Sequence, residues 1–360
     1  MTIVIGSITY DLKDFLFKNI VLTQDLDSSR LSTTFLTKWI SGGKEFEMFT
    51  SGTTGEAKKV SLKRKWLETS ALQTIELLGL WQENVLCCLP INKIGGLMMI
   101  VRSLAGGFNL VIQEPKSNPM IDIESNHSFT FVSLVPSQLL SILNSEDSTR
   151  KLNRFKNVLL GGADLPTELI LKIDKLKPNI YHTYGMTETC SQIALKKLNN
   201  GSWPHFKPNP FVEMKTNGEG WLSIRAFQTG NEWIDTKDIA NIHKDGSFDF
   251  IGRADFMINT GGYKVLPEQL EQKIKSFFKN IDQDLDLAIT SIPNEKWGNK
   301  IILVLTLLSD ISENEILEQL KPNLEKYEFP KHILKLETIP RNEGGKIDRI
   351  KLNQLVLSVT

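Results

Sequence analysis

Alternation of apolar and polar positions divides the chain into short segments. EFEMF (45–49) and KKVSLK (58–63) alternate with the period of a half-buried strand, and a loop dense in Gly, Ser and Thr joins them in a hairpin-like arrangement. A helical period follows over 65–78. Short apolar runs then recur at 85–90, 108–113, 129–135 and 157–162, with helical patterns between them at 95–105, 136–144 and 166–176. Strands alternating with helices predict a mostly parallel α/β sheet. After about residue 198 the pattern changes. NNGSWPHFKPNP is rich in turn formers, and WLSIRAF, EWIDT and SFDFIG read as short strands of a β-rich subdomain. From about residue 256 the chain restarts with a helix (267–279), strands at 286–292 and 300–308, a helix (312–320) and a strand (333–339). The expected fold is therefore α/β. A large N-terminal domain (1–252), with a β-rich subdomain, is joined through 253–255 to a small α+β C-terminal domain (256–360).

Composition removes several function classes. Hydrophobic residues make up 41% of the 360 positions, enough for a large core. The 42 basic and 42 acidic side chains cancel, which gives no support for a nucleic-acid partner. The basic stretch at 58–65 is interleaved with apolar residues, as in a strand. The three cysteines, Cys87, Cys88 and Cys190, have no spacing that reads as a disulfide framework or a zinc site, so a reducing, cytoplasmic location is expected. Cys87 and Cys88 sit in an apolar run and read as core. MTIVIGSITY has neither the cationic start nor the long apolar stretch of a signal peptide. IILVLTLL (301–308) is far too short to span a bilayer and reads as a buried strand, so no membrane insertion is expected. The five histidines show no metal-ligand spacing, and no G-x-S-x-G nucleophile elbow is present.

Several strings carry candidate chemistry. TSGTTGEAKK offers backbone N–H groups, the hydroxyls of Thr50, Ser51, Thr53 and Thr54, and Lys58, while Gly52 and Gly55 let the backbone approach a phosphate. It is not a Walker loop, because its glycines are too close and none precedes Lys58. In YGMTETCSQ (184–192), Tyr184 can stack on a base and Glu188 can hold Mg²⁺; the plainer alternative is a capped helix start. In WIDTKDIA (233–240), Asp238 can accept ribose hydroxyls, or Asp235 and Asp238 are solvated turn acids. GRADFMINTGGYKVLPEQLE (252–271) combines Arg253, Asp255 and a glycine pair ahead of a helix opened by Pro267. PRNEGGKIDR (340–349) presents Lys346 after two glycines, or is a flexible basic tail.

In this order the strings resemble the motifs of the adenylate-forming superfamily, which includes acyl-CoA synthetases and peptide-synthetase adenylation domains. The resemblance covers 49–349 and is specific as an ordered set. Within the superfamily, FVSLVPSQL, LLGGADLP and YGMTETCSQIA resemble the branch of o-succinylbenzoate–CoA ligases of menaquinone biosynthesis. The resemblance implies an ATP-dependent acid–thiol ligase that releases AMP and pyrophosphate. Its expected partners are a carboxylic acid, ATP with Mg²⁺, and coenzyme A. Alternatives are another aryl- or acyl-CoA ligase, a carrier-loading adenylation enzyme, or a catalytically silent nucleotide-binding protein. Two departures stand out. Relatives carry many more residues ahead of the phosphate loop, which predicts a reduced N-terminal subdomain, either with exposed apolar surface that favours a homodimer or as a compact natural form. LPINKIGGLMM (89–99) has Asn92 and Lys93 where relatives often have an aromatic–His pair.

The implied chemistry brings a carboxylate to the α-phosphate of ATP. Two unit charges about 4 Å apart interact by about 4 kcal/mol at an effective dielectric near 20, so cations must offset the repulsion. By resemblance, Lys346 meets carboxylate and α-phosphate, Glu188 with Thr187 serves the metal and phosphates, and Thr50–Lys58 cradles phosphate. Gly162, Ala163, Tyr184, Gly185, Asp238 and Arg253 are expected around the nucleoside. Lys93 and Gly96 are expected near the acid. Asp255 is the expected hinge of a mobile C-terminal domain, with Gly261 and Gly262 replacing Lys346 at the site for thioester formation.

Overall fold

The computed structural model describes residues 2–5, 8–11, 27–51, 57–163, 165, 167–278, 286–306, 312–341 and 346–359. The chain begins with β1 (Thr2–Ile5), β2 (Ile8–Asp11) and α1 (Asp27–Ile40). The antiparallel hairpin β3 (Glu45–Ser51) and β4 (Ala57–Lys63) follows, with Ser51 opposite Ala57. Next come α2 (Arg64–Leu78), β5 (Asn84–Cys87), α3 (Ile94–Gly106), β6 (Asn109–Ile112) and β7 (Phe131–Leu134). After them run α4 (Pro136–Leu143), α5 (Glu146–Leu152), β8 (Asn157–Leu160), α6 (Thr167–Ile173), β9 (Asn179–Met186), β10 (Ser191–Lys197) and β11 (Lys207–Pro208).

These strands build a nine-stranded sheet in the order β11-β10-β9-β8-β7-β5-β6-β1-β2. Neighbours from β9 through to β1 are parallel, and antiparallel strands close both edges. The pleat explains the core. Val85 and Cys87 of β5 enter one buried cluster, with Leu36, Leu67, Met98 and Phe108, while Leu86 and Cys88 enter another, with Leu139, Leu152 and Leu169. Successive side chains thus feed opposite faces, each covered by its own helices. β7 and β8 are buried at every position, as a strand with both faces covered must be.

A β-rich segment comes next: β12 (Glu213–Thr216), β13 (Leu222–Arg225), β14 (Ile234–Asp235), β15 (Asp238–Ile242) and β16 (Phe248–Arg253). The hairpin β17 (Ile258–Thr260) and β18 (Tyr263–Val265) leads into α7 (Pro267–Phe278). The remainder is β19 (Leu287–Asn294), β20 (Gly298–Thr306), α8 (Glu313–Leu320), β21 (His332–Leu336) and α9 (Arg349–Val359). β20 again splits by alternation. Ile301, Leu303 and Leu305 join a cluster with Leu270 and Ile316, while Ile302 and Val304 join Leu352 and Val356 of α9.

Several expectations are corrected. The segment after Tyr184 continues β9, and the capped helix start is a single 3₁₀ turn, Thr187–Thr189, whose Thr189 hydroxyl accepts from the Met186 N–H. The C-terminal stretch after Lys346 is no flexible tail; it forms α9. A hairpin precedes α7, and α5 lies between α4 and β8. All three cysteines are buried. No described helix is long and apolar enough to cross a membrane.

Candidate active site

A cavity of about 900 Å³ opens at the carboxyl ends of β5, β8 and β9, where ligands bind in sheets of this kind. Lys58, Lys93, Gly162, Ala163, Tyr184, Gly185, Thr187, Glu188, Asp238, Arg253, Asp255 and Lys346 all line it. They come from strand ends and loops spread over most of the chain. Thr50 and Ser51 end β3, leading toward the site. Gly52, Thr53, Thr54 and Gly55 lie outside the described residues.

Three predicted residues are not on the cavity wall. Gly96 sits in the first turn of α3, where a Cβ would lie 2.3 Å from the Pro90 carbonyl oxygen, so its role is to let the helix dock against the end of the preceding segment. Gly261 and Gly262 form the tip of the β17–β18 hairpin, and the Gly261 N–H donates to the Trp297 carbonyl at 2.8 Å.

A chain of charged groups organises one wall. The Tyr184 hydroxyl donates to Asp238 Oδ2 at 2.6 Å, and Arg253 Nη1 donates to Asp238 Oδ1 at 3.0 Å. Arg253 Nη2 also reaches Asp255 Oδ2 at 2.9 Å, and Lys237 Nζ reaches Asp255 Oδ1 at 2.9 Å. Burial, and then the Asp238 charge, push the Tyr184 phenol well above its ordinary range, so it remains a donor. Burial opposes ionisation of Asp255, but Lys237 and Arg253 outweigh it and hold its carboxyl below the usual range. Asp255 is therefore tied by two ion pairs as well as occupying a turn.

The sheet is specially shaped under Glu188. A Cβ on Gly185 would meet the Ser191 carbonyl oxygen at 2.1 Å, so only glycine lets β9 and β10 close so tightly around the turn. Cys190 and Ser191, just after the turn, have φ of 54° and 83°, and Lys237 beside Asp238 has 60°. Such non-glycine positions each cost on the order of 1–3 kcal/mol and cluster where function over-determines the backbone. Behind the turn, the buried Arg102 guanidinium bonds the Gln192 side-chain carbonyl and lies 3.5 Å from Ser191 Oγ. Burial lowers its pKa to about 10.

Pattern reading missed several wall residues. His182, whose ring meets the Ala163 carbonyl at 3.2 Å, lies two positions before Tyr184 on β9, and its polarity near a strand end was the available signal. Phe206 and Phe250 approach Tyr184 at 6.1 and 6.2 Å, yet they come from distant strands and carry no local signal. Among the acids on the wall, Asp238 and Asp255 are engaged by Arg253 and Lys237, Asp235 accepts from the Ser223 hydroxyl, and Glu188 lies beside Thr187 on the turn.

Comparisons with known proteins show the family of the chain. The AMP-binding enzyme family matches residues 46–218. A 2-succinylbenzoate–CoA ligase of Staphylococcus aureus (strain MSSA476) is 32% identical over 329 residues, covering 85% of this chain and 66% of that protein. The chain thus spans about two thirds of the length of the curated relatives it matches. The o-succinylbenzoate CoA synthetase of Bacillus subtilis, in complex with its acyl-adenylate intermediate, shares the fold with a TM-score of 0.70 at 24% identity, covering 85% of this chain and 68% of that one. The acyl-CoA synthetase (AMP-forming)/AMP-acid ligase II-like protein of Dyadobacter fermentans is 32% identical, with a TM-score of 0.62, and the match covers 93% of this chain and 96% of that one. With that match running almost end to end in both proteins, this chain belongs to the family of AMP-binding, acyl-CoA-synthetase-like enzymes.

Proposed function

We propose that the protein is an ATP-dependent acid–CoA ligase working through an acyl-adenylate, and that its acid is o-succinylbenzoate. The observation that carries this reading is the gathering of Lys58, Lys93, Glu188, Asp238, Arg253 and Lys346 around one cavity, in a chain 32% identical to 2-succinylbenzoate–CoA ligases.

Each group has a part that its surroundings suit. A carboxylate has about four acceptor sites, so Asp238 can hold Tyr184 and Arg253 and still accept ribose hydroxyls. Tyr184, held by that bond and backed by Phe206 and Phe248, offers an aromatic face to adenine. Glu188 suits Mg²⁺, which takes few protein carboxylates and fills its shell with water and phosphate oxygens. When bound, Mg²⁺ supplies positive charge beside the phosphates. Lys58 and the loop ahead of it neutralise further phosphate charge. Lys346, on the cavity wall, is assigned to the meeting of carboxylate and α-phosphate, and such positioned charge supplies most of the acceleration in transfers of this type.

The acid end has its own electrostatics. Lys93 is the N-cap of α3 and lines the cavity. A lysine at a helix N-terminus opposes the helix dipole, and an anion there offsets both. The second carboxylate of a dicarboxylic acid is such an anion. The C-terminal domain, 256–360, is proposed to turn about 253–255 after adenylation, exchanging Lys346 for the Gly261–Gly262 tip when CoA attacks. Lys346 on the cavity and the glycine tip off it suit the first half-reaction.

The test is exchange of labelled pyrophosphate into ATP with a panel of acids, followed by CoA thioester formation. Exchange with o-succinylbenzoate is expected. Exchange with no acid would overturn the ligase reading, and exchange confined to fatty or amino acids would overturn the substrate.

A further inference from the structure

Away from the cavity, His205, His243 and Asp249 meet on one face of the β-rich segment. Strand register brings them there. Phe206 and Phe248 form an antiparallel bridge, which sets His205 directly opposite Asp249. Asn241 pairs with Asp249 across β15 and β16, so His243, two residues on, is the diagonal neighbour on the same face. His205 Nδ1 lies 2.9 Å from both Asp249 oxygens, and His243 Nε2 lies 2.9 Å from Oδ2. The two rings pack with centroids 3.9 Å apart. All three donor atoms fall within 4.8 Å of one another, and each residue is half-buried, open to solvent on one side.

We propose that His205, His243 and Asp249 form a binding site for a divalent transition-metal cation of the Zn²⁺ class. Zinc bonds imidazole nitrogen and carboxylate oxygen at about 2.0–2.2 Å, which in a tetrahedron places donors about 3.3 Å apart. Asp249 already stands near that spacing from each imidazole nitrogen, all three donors lie within 4.8 Å, and small side-chain rotations complete the set, with water in the fourth position. Two imidazoles favour zinc over Mg²⁺ or Ca²⁺, which prefer oxygen.

Competing sites among the described residues are weak. Burial pushes the Cys87 and Cys190 thiols up to about 12 and the Cys88 thiol well above its ordinary value, so none offers a thiolate near neutrality. His127 is buried, with Nδ1 accepting from the Phe129 N–H and Nε2 on the Lys151 carbonyl. The consequence of binding is mechanical. Asp249 sits between Phe248, which packs on Tyr184, and Phe250, which lines the cavity, but faces the other way. A metal there cross-links the loop between β10 and β11 to the β15–β16 hairpin that carries Asp238 and Arg253.

The test uses the full chain, stripped with chelator and free of nucleotide. Calorimetric titration with Zn²⁺ should show one equivalent bound, with Mg²⁺ unable to compete. In the histidine ring ¹⁵N spectrum of the unmutated protein, two of the five histidines should shift with that equivalent. His205→Gln and Asp249→Asn, each checked for folding by circular dichroism, should weaken binding by about ten-fold or more, since loss of a ligand exceeds loss of its supporting shell. Glu188→Gln should bind zinc unchanged, which separates this site from the proposed catalytic cation. Failure to bind one equivalent, or shifts at histidines other than these two, would overturn the proposal and leave the trio as a hydrogen-bonded brace.

Discussion

At the scale of single residues, the site is governed by how its charges are paired. Lys93 is the cation with the least ordinary position, at a helix start that disfavours it. A hydrogen bond between charged groups is worth about 1.5–3 kcal/mol, so Lys93→Ala should raise the Michaelis constant for the dicarboxylic acid about ten-fold or more, leaving that for ATP near normal. An unchanged constant for the acid would remove Lys93 from its recognition. Asp255 makes a prediction in pH. Its folded pKa is lowered by Lys237 and Arg253, so its contribution to stability is fully present above the unfolded value near 3.9 and is lost as pH falls through the folded one. Asp255→Asn should therefore lower the urea midpoint near pH 7, and the gap to the unmutated protein should close as pH falls below about 4. A gap that persisted in acid would show that the ion pairs do not set it. Glu188, Asp238, Arg253 and Lys346 could be singled out beforehand because the ordered strings around them resemble superfamily motifs, and the fold brings all four to one cavity. His182, Phe206 and Phe250 could not, because they become neighbours of Tyr184 only through strand register. The same applies to His205, His243 and Asp249, whose sequence spacing says nothing about a shared face.

At the scale of elements, legibility followed periodicity. β3, β4 and the buried strands β5 to β8 announce themselves by alternation or by short apolar runs between helical patterns. α5 (EDSTRKL) is mostly polar, and in its seven residues only Ser148, Lys151 and Leu152 are buried, so no apolar stripe marks it. α9 buries Leu352 and Val356 but exposes Leu355, Leu357 and Val359, which blurs the pattern that would have named it a helix. What holds α9 is more specific than its apolar face. Arg349, in its first turn, makes two parallel bonds of 3.0 Å to both Glu271 oxygens on α7, meets Glu268 at 3.3 Å, and donates to the Ile289 carbonyl at 3.2 Å. All three side chains are about nine-tenths buried. Removing the cation leaves two carboxylates in a poor solvent, and breaking such a pair typically costs about 3–5 kcal/mol. Arg349→Ala should lower the unfolding free energy of the C-terminal unit by that amount in urea, read from the amide-exchange protection of β19 and β20. A loss below about 1 kcal/mol would mean that the apolar contacts of Leu352 and Val356 anchor the helix.

At the scale of the whole molecule, the arrangement of Lys346 and the glycine tip suits the two-step reaction proposed above. Lys346 stands on the cavity, while Gly261 and Gly262, with φ of 56° and 84°, hold a hairpin tip away from it against Trp297. Adenylation needs a cation between two anions. Thioester formation starts from a formed adenylate and a thiol, so that cation loses most of its purpose, and a bare backbone able to pass close to the acyl and CoA groups becomes useful. The two half-reactions should therefore separate by mutation. Lys346→Ala should abolish pyrophosphate exchange yet still convert supplied acyl-adenylate and CoA to thioester. Gly262→Leu should keep exchange and lose thioester formation, because a branched side chain strains the left-handed tip and blocks its approach. Both variants should unfold near the same urea concentration as the unmutated protein, since neither position lies in the clusters that bury the core. If both lost the two half-reactions in equal proportion while folded, rotation about 253–255 would not be part of this chain's mechanism. One fixed arrangement of the cavity would then have to serve both steps.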